Sequence, residues 1–218
     1  MKKTSPLVTL FFIILTFIPA SSGMSDIFHA ASDDDVSSLK KYFEKGEDIN
    51  KQDKDGDTPL ILAASFGNLK SIQFLISKDV KVNIKNKSGD TAINMVGYLS
   101  GRENASKIIH LLVSKGAQIN NIDSEGSTPL HSATMFNNVV LVKAFLDNGA
   151  NPNIKDDDGN TPIWEVCTES SDKAIKIVDL LLASGANINA QNADGRTFTD
   201  YCADNKKLFT HLKKTSLK

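Results

Sequence analysis

A phrase of about 33 residues recurs along this chain, and the repetition constrains the fold more than any other feature. Each copy opens with a Gly-x-Thr turn, at Gly56, Gly89, Gly126, Gly159 and Gly195. Successive opening glycines are 33, 37, 33 and 36 residues apart. Self-similarity at this period predicts a solenoid, in which each unit packs on its neighbours. Such a chain offers an extended surface, so we seek its function on a surface.

Each copy predicts two helices, which makes the fold class all-α. Apolar residues recur at helical spacing after each opening turn, for example Leu60, Ala63 and Ala64, then Leu69, Ile72, Leu75 and Ile76. A Thr-Pro pair is well suited to begin the first helix. Glycine ends the second helix at Gly116, Gly149 and Gly185. Asp79 holds that place in another copy, where it predicts slight strain.

The phrase Asp-x-x-Gly-x-Thr-Pro-Leu-His-x-Ala, followed by Gly-Ala-x-x-Asn, resembles the ankyrin repeat. The run Thr-Pro-Leu-His-Ser-Ala at 128–133 comes close to the full signature. The resemblance is strong over 53–192 and weaker over 27–50 and 193–212. It implies an all-α solenoid of antiparallel helix pairs with projecting β-turn loops and a concave face, built from about six repeats including degenerate caps.

The repeat phrase also predicts the domain boundaries. A single ankyrin-repeat domain is expected over 24–212, followed by a basic tail over 213–218. The predicted repeats are 24–52 (degenerate), 53–85, 86–122, 123–155, 156–191 and 192–212 (capping).

Residues 1–23 have the three-part pattern of a cleavable signal peptide. Lys2 and Lys3 precede 12 mostly apolar residues at 7–18, and small residues follow. The apolar run is shorter than the roughly 20 residues of an ordinary membrane span. We expect cleavage after Ser22, or alternatively after Gly23, and a periplasmic or secreted protein without a stable membrane anchor. An uncleaved anchor is the alternative.

The charge distribution argues against nucleic acid as a partner. Residues 24–205 carry 18 basic and 26 acidic residues, a net charge of −8. Nucleic-acid binding requires Lys and Arg to neutralise phosphates. From Lys206 onward there are five lysines and no acid. This end is expected to be a solvated tail, with a binding arm as the alternative.

Several local patterns mimic chemical sites. Asp53, Asp55 and Asp57 alternate as in a calcium loop, but Thr58 stands where that loop needs glycine and Ala64 where it needs glutamate. The three aspartates at 156–158 are interpreted in the same way, as turn residues.

The histidines do not indicate a metal site or a catalytic site. The four histidines fall in different copies without metal-ligand spacing. For His131 the family resemblance implies a structural hydrogen-bonding role. The sequence therefore predicts no cofactor, no metal site and no catalytic residue, and a protein that is not an enzyme.

Cys167 and Cys202 are the only cysteines. On the repeat alignment they lie late in the first helices of adjacent copies, one place apart. Stacked helices lie about 8–10 Å apart between axes, whereas a disulfide needs Cα atoms roughly 4.4–6.8 Å apart. This mismatch favours two buried free thiols, and a disulfide is the alternative.

Candidate partner-binding residues of one kind lie at the end of the first helices. Three consecutive copies carry Ser65-Phe66, Tyr98-Leu99 and Met135-Phe136 there. The apolar members, Phe66, Tyr98, Leu99, Met135 and Phe136, would form an exposed stripe, and such stripes often mark interaction sites. Inward packing against the next repeat is the alternative.

Candidate residues of a second kind lie in the opening turns. Asp55, Asp57, Glu125, Asp157 and Asp158 make this edge acidic, and Asp90 belongs to the same turns. An acidic edge favours a partner with a basic patch. Turn propensity alone is the alternative explanation.

The two longer spacings place insertions between paired helices, at 100–104 and 169–172. They fall in alternate copies on the same edge, where insertions often contribute to binding. Drift in a tolerant loop is the alternative.

Together these patterns predict an exported, monomeric, non-enzymatic module that binds another protein through its concave face. Inhibition of that partner, as by an immunity protein, is the most concrete role. The alternatives are a structural or stress-related scaffold for a periplasmic enzyme and a secreted effector acting on host proteins.

Overall fold

The computed structural model describes residues 26–99 and 104–215. The predicted signal peptide, most of the first insertion and the last three residues lie outside the described residues. The α-helices are α1 (Ile27–Ser32), α2 (Val36–Glu44), α3 (Pro59–Ser65), α4 (Leu69–Ile76), α5 (Ala92–Gly97), α6 (Ala105–Ser114), α7 (Pro129–Met135), α8 (Val139–Asp147), α9 (Asp172–Ala183), α10 (Phe198–Tyr201) and α11 (Lys206–Thr215). A 3₁₀ helix, Pro162–Thr168, lies between α8 and α9.

The helices form six consecutive pairs, which confirms the all-α solenoid. The first helices of successive pairs pack against one another, and so do the second helices. Within the described ranges there is no β-strand, only an isolated bridge between Gln191 and Thr197. The fifth pair differs from the others because its first helix is the 3₁₀ helix.

One apolar core runs through the whole stack. Of the residues that the periodicity assigns to the helix faces of the second pair, Leu60, Ile72 and Leu75 are fully buried, whereas Leu69 is half-buried. Phe145 and Phe198 are the largest fully buried side chains further along. Each pair buries its apolar face against its neighbours, as a solenoid requires.

Thr128 and His131 show how a first helix is held. The Thr128 backbone N–H donates to His131 Nδ1 at 3.0 Å, and the Thr128 hydroxyl caps the His131 backbone N–H. On the other side of the ring, Nε2 lies 3.2 Å from the carbonyl oxygen of Asn160 in the next repeat. Burial lowers the pKa of His131 to about 4, so the ring is neutral at pH 7. The structural role implied by the family resemblance is confirmed.

Asparagine side chains tie the start of a second helix to the preceding repeat. Each side-chain amide donates to a backbone carbonyl at the end of the preceding first helix. The three bonds are Asn68 to Ala31, Asn138 to Leu99 and Asn205 to Cys167, all at 2.9 Å. These bonds satisfy carbonyls that the helix itself leaves without partners.

The glycines predicted to end the second helices do so in the left-handed conformation. Gly116, Gly149 and Gly185 have φ of 86°, 90° and 86°. Asp79 holds the equivalent place with φ of 56°, a conformation that costs an L-residue more than glycine.

The basic end is more ordered than expected. A tail was predicted from residue 213, but α11 continues to Thr215. Lys207 Nζ donates to Asp172 Oδ1 at 2.8 Å, and His211 Nε2 lies 2.6 Å from Asp179 Oδ1. The last helix is therefore held on α9 by the Lys207–Asp172 ion pair and the His211–Asp179 contact as well as by its buried Leu208 and Leu212.

The preference for free thiols is wrong, because Cys167 and Cys202 form a disulfide. Their Cα atoms are 5.0 Å apart. An axis-to-axis separation does not set the distance between facing residues, since each Cα lies about 2.3 Å from its helix axis toward the neighbour. The bond joins the fifth helix pair to the sixth, and both sulfur-bearing residues are buried.

Candidate protein-binding surface

We call the five opening turns, 53–58, 86–91, 123–128, 156–161 and 192–197, the finger turns. Each begins with an Asp or Asn whose Oδ1 accepts backbone N–H groups from within the turn. In the turn 123–128, Asp123 Oδ1 accepts from Glu125 at 2.8 Å and from Ser127 at 2.9 Å. Asp53, the first acid of the run that resembles a calcium loop, accepts from Asp55 at 2.9 Å and from Asp57 at 2.8 Å, and so holds its turn in shape.

Neighbouring finger turns are linked by backbone hydrogen bonds. The third residue of one turn accepts through its carbonyl from the second residue of the next. These bonds run from Lys87 to Asp55 (3.1 Å), Ser124 to Ser88 (2.8 Å), Asp157 to Glu125 (3.0 Å) and Ala193 to Asp158 (2.9 Å). The turns form one continuous edge, along which the candidate acids lie.

The candidate acids differ in exposure. Asp55, Asp157 and Asp158 are exposed, whereas Asp57 and Glu125 are half-buried. The first three can meet a partner without any rearrangement. Between them they span the second to the fifth repeat.

Asp57 is engaged inside the protein. Its Oδ1 accepts from the side-chain amide of Asn86 in the next finger turn at 2.8 Å. Burial raises the pKa of Asp57, and the bond from Asn86 opposes that rise. Asp57 therefore links two finger turns as well as adding charge to the edge.

Asp90 is the residue whose environment the sequence did not reveal. It was grouped with the exposed turn residues, but it is only 5% exposed and its Oδ1 has no hydrogen-bond partner. Burial, followed by the like charges of Asp123, Asp57 and Glu125, raises the pKa of Asp90 to about 7, and the charge of Lys85 opposes the rise. The sequence feature that could have indicated this environment is the first residue of the next finger turn. That residue is Asp123, whereas the turns at 86 and 192 begin with asparagine.

The predicted apolar stripe is partly wrong. Leu99 is only 5% exposed and belongs to the core, so it offers no contact surface. Phe66, Tyr98, Met135 and Phe136 are half-buried. Leu99 lies where the chain enters the longer insertion, and its side chain packs inward there. The remaining four residues keep part of their surface free.

Tyr98 and Phe136 make a contact between neighbouring repeats. Their rings meet edge to face with centroids 5.9 Å apart. The Tyr98 hydroxyl is hydrogen-bonded to the side chain of Ser132. Burial, followed by the charge of Asp90, raises the pKa of Tyr98 well above its ordinary value. The apolar residues thus lie close to the acidic finger turns around Asp90.

The second insertion, 169–172, bridges repeats. The Ser171 side chain caps α9 through the backbone N–H of Ala174 at 3.2 Å. Its hydroxyl also accepts from Asn137 Nδ2 of the preceding repeat at 3.0 Å. The first insertion falls largely outside the described residues. These contacts give the second insertion a structural role.

Other kinds of site find little support in the described part of the chain. No group of three His, Cys, Asp or Glu residues there is arranged to hold a metal ion. A shallow, mostly polar depression lies beside the disulfide and is lined by Arg196, Asp200 and Tyr201 among others. None of the helices in the ranges 26–99 and 104–215 combines the length and the apolarity needed to cross a membrane.

Sequence relatives are found among viral and plant proteins. The chain is 46% identical over 63 residues to a putative ankyrin repeat protein of fowlpox virus. The matched segment covers 28% of this chain and 34% of that protein. It is 34% identical over 109 residues to the E3 ubiquitin-protein ligase KEG of Arabidopsis thaliana, covering 50% of this chain and 6% of the ligase. The matches thus span about a third or less of these relatives.

Solved structures match over most of the chain. An ankyrin repeat domain from Acinetobacter baumannii has a TM-score of 0.77 and 25% identity, covering 87% of this chain and 97% of that domain. A second ankyrin repeat protein has the same TM-score of 0.77 at 22% identity, covering 86% of this chain and 96% of that one. At such identities the likeness concerns the fold.

The family model for ankyrin repeats (3 copies) matches residues 27–123 and 98–192, which is more than half of the chain. Ankyrin repeats are generally non-enzymatic modules that mediate binding between proteins. The repeat phrase, the six helix pairs and the stacked finger turns agree with this match. The chain belongs to the ankyrin-repeat family.

Proposed function

We propose that this ankyrin-repeat protein is exported and binds one partner protein through its finger turns and the adjoining ends of its first helices, the concave side implied by the family. The observation that carries the proposal is the continuous edge of linked finger turns, on which Asp55, Asp157 and Asp158 are exposed. Beside it, Phe66, Met135 and Phe136 retain partly free apolar surface. Acidic charge beside aromatic anchors suits a partner with a basic patch.

Export is supported by two independent features. Residues 1–23 have signal-peptide composition, and we propose that they are removed after Ser22 or Gly23. The Cys167–Cys202 disulfide suits an oxidising compartment such as the periplasm or the cell exterior, since structural disulfides are rare in the cytosol. Mass measurement of the mature protein tests this: the chain should begin at Gly23 or Met24. A retained leader would contradict it.

The finer role that we propose is inhibition of the partner at one-to-one stoichiometry by a monomer, without catalysis by the repeat protein. An extended acidic edge can cover a basic active site over several repeats at once. When the repeat protein is added to the purified partner, the partner's activity should fall to its minimum at one molar equivalent. Full partner activity in a saturated complex would instead support a scaffold.

Binding through the finger turns is tested with the mature chain as bait in an extract of the source cells. The variant Asp55→Lys/Asp157→Lys reverses charge at two exposed finger residues. The matched control Glu44→Lys/Asp147→Lys makes the same change in net charge on exposed residues of α2 and α8. We expect the wild type and the control to capture the same protein and the finger variant to lose it. Equal capture by all three baits would contradict the proposed surface.

A further inference from the structure

The second helices of the first three pairs are strongly basic. Together, residues 36–45, 69–78 and 105–115 hold seven lysines and a single acid, whereas the body of the chain is net acidic. None of these seven lysines makes an ion pair with another described residue. In the fourth pair, by contrast, Lys143 is paired with Asp147 at 2.7 Å. Positive charge is therefore concentrated, without compensation, at one end of the stack.

Three of the lysines form a row across consecutive repeats. Lys45, Lys78 and Lys115 each stand directly before the left-handed residue that follows a second helix. Because successive second helices pack on one another, these lysines lie on neighbouring helices whose axes are about 8–10 Å apart. Lys45 and Lys115 are exposed, and Lys78 is half-buried. The row thus presents charge at a regular spacing along the helix surface.

Two further lysines show that the charge does not serve the helices themselves. A cation at the C-terminus of a helix interacts favourably with the helix dipole, which suits the row at Lys45, Lys78 and Lys115. Lys70 and Lys107, however, lie in the first turns of α4 and α6, where the dipole disfavours a cation. Both are exposed. Stability of the isolated protein therefore gives no reason for lysine at these two places.

Aromatic rings lie beside the lysine row. Phe43 is 38% exposed, and its ring meets the half-buried ring of Phe74 in the next repeat edge to face, with centroids 6.4 Å apart. The Lys78 ammonium lies over both rings, 4.8 Å and 5.7 Å from their centroids. The Lys45 ammonium lies 5.9 Å from the centroid of the Tyr42 ring. Aromatic rings next to unpaired lysines on a helix surface are typical of proteins that lie on membranes.

We propose that this surface of α2, α4 and α6 docks reversibly on an anionic phospholipid bilayer. We call it the basic face, and it consists of Phe43, Lys45, Lys70, Phe74, Lys78, Lys107 and Lys115. Headgroup phosphates supply the negative charge that these lysines lack, and the two rings enter the headgroup region. A bilayer presents phosphates over a whole surface, which matches a charge that is spread across three repeats.

The basic face lies on second helices, so its docking goes beyond the proposed function of the finger turns. A chain that lies on a bilayer through α2, α4 and α6 keeps its finger turns free for a partner protein. Docking of this kind weakens as salt screens the lysines from the phosphates.

The test is sedimentation of the mature chain with vesicles of phosphatidylglycerol and phosphatidylcholine in equal parts, compared with pure phosphatidylcholine. We expect binding to the anionic vesicles to be at least about tenfold stronger. Lys70→Glu/Lys107→Glu should weaken it about tenfold or more without loss of thermal stability, since glutamate in the first turn suits the helix dipole. The matched control, Lys54→Glu/Lys87→Glu, makes the same charge change on exposed finger lysines and should change binding less than threefold.

A fluorescent probe reports whether the rings enter the bilayer. The chain has a single tryptophan, Trp164, which is 5% exposed. In Phe43→Trp the emission should shift to shorter wavelength with anionic vesicles and stay unchanged with pure phosphatidylcholine. No binding to anionic vesicles, equal losses in the two lysine variants, or an unchanged emission would overturn the proposal.

Failure of this proposal is distinguishable from failure of the proposed function. Asp55→Lys/Asp157→Lys should lose the partner protein yet bind anionic vesicles at least as well as the wild type. Conversely, Lys70→Glu/Lys107→Glu should lose the vesicles and still capture the partner. Loss of both activities in either variant would contradict two separate surfaces.

Discussion

The rings of Tyr98 and Phe136 meet edge to face across the boundary between the third and fourth repeats, with centroids 5.9 Å apart. Leu99, the next residue after Tyr98, points into the core and is 5% exposed. One short segment thus supplies both a half-buried aromatic ring and a core side chain. Position in the repeat alone does not separate these two roles.

The first prediction tests the core role of Leu99 through the free energy of unfolding. Leu99→Ala should lower the free energy of unfolding by about 2–5 kcal/mol, because it removes a buried side chain and leaves a cavity. Val140→Ala on α8, where the side chain is 65% exposed, should stay within about 0.5 kcal/mol of the wild type. Urea denaturation measures both. Similar small effects in the two variants would mean that Leu99 is not part of the core.

The second prediction concerns Gly126, whose φ is +76° and which lies against the next finger turn. A Cβ there would come within 2.8 Å of the Asp157 backbone nitrogen. Gly116 has φ of +86° but nothing within 4 Å of a Cβ, so Gly116→Ala measures the conformational cost alone. That cost is about 1–2 kcal/mol, and Gly126→Ala should exceed it by at least about 1 kcal/mol.

Hydrogen exchange locates the Gly126 effect. Faster exchange in Gly126→Ala should concentrate in the finger turns 123–128 and 156–161, because the added Cβ pushes these two turns apart. Equal unfolding free energies for the two alanine variants would show that the neighbouring turn moves away freely.

The structural features that the sequence predicts are those that stand at the same place in successive copies of the repeat phrase. The threonine caps at Thr58 and Thr128 and the left-handed residue Asp79 stand at fixed places in the phrase. Their geometry follows from backbone and local hydrogen-bond rules. The same holds for the six helix pairs and for the exposed finger residues Asp55 and Asp158.

The features that could not be predicted depend on two repeats at once. Whether Asp90 is satisfied depends on the residue at 123, in the next finger turn. The Cys167–Cys202 bond depends on how closely two facing Cα atoms approach, and the axis separation of their helices does not give that distance. The burial of Leu99 depends on the following helix pair, whose Asn138 donates to the Leu99 carbonyl oxygen. A periodic pattern describes one repeat and leaves such pairings open.

The third prediction is a loss of stability as pH rises. The pKa of Asp90 is raised in the folded state to about 7, so between about pH 4 and pH 7 the folded state holds a proton that the unfolded state has lost. Stabilisation by this proton is complete below about pH 4 and is lost by about pH 7, up to about 4 kcal/mol in all.

Asp90→Asn isolates this contribution, since its amide mimics the protonated carboxyl. This variant should reduce the loss of stability with rising pH and should stabilise the protein at pH 8. His131 acts in the opposite sense: its lowered pKa makes stability fall as pH drops from about 6.5 through about 4. The free energy of unfolding, measured at pH 5 and pH 8 for the wild type and for Asp90→Asn, checks the prediction. An unchanged pH profile in Asp90→Asn would contradict it.

The fourth prediction concerns the disulfide, which closes a loop with a sequence separation of 35. In the chain-entropy model, its removal by Cys167→Ser/Cys202→Ser should cost about 3–4 kcal/mol. Because repeats contact only their neighbours, the loss should appear in the last two helix pairs. Hydrogen exchange of 198–215 should speed up while that of 59–76 stays as in the wild type. Uniform acceleration along the chain would show that the array unfolds as one unit.

The most direct test of the central claim is hydrogen exchange of the one-to-one complex with the captured partner, compared with the free mature chain. Binding through the acidic edge predicts slower exchange in the finger turns from 53–58 to 156–161 and at the ends of α3, α5 and α7. The exposed faces of α4, α6 and α8 should exchange as in the free protein. Protection confined to those second helices, with unchanged finger turns, would contradict the account.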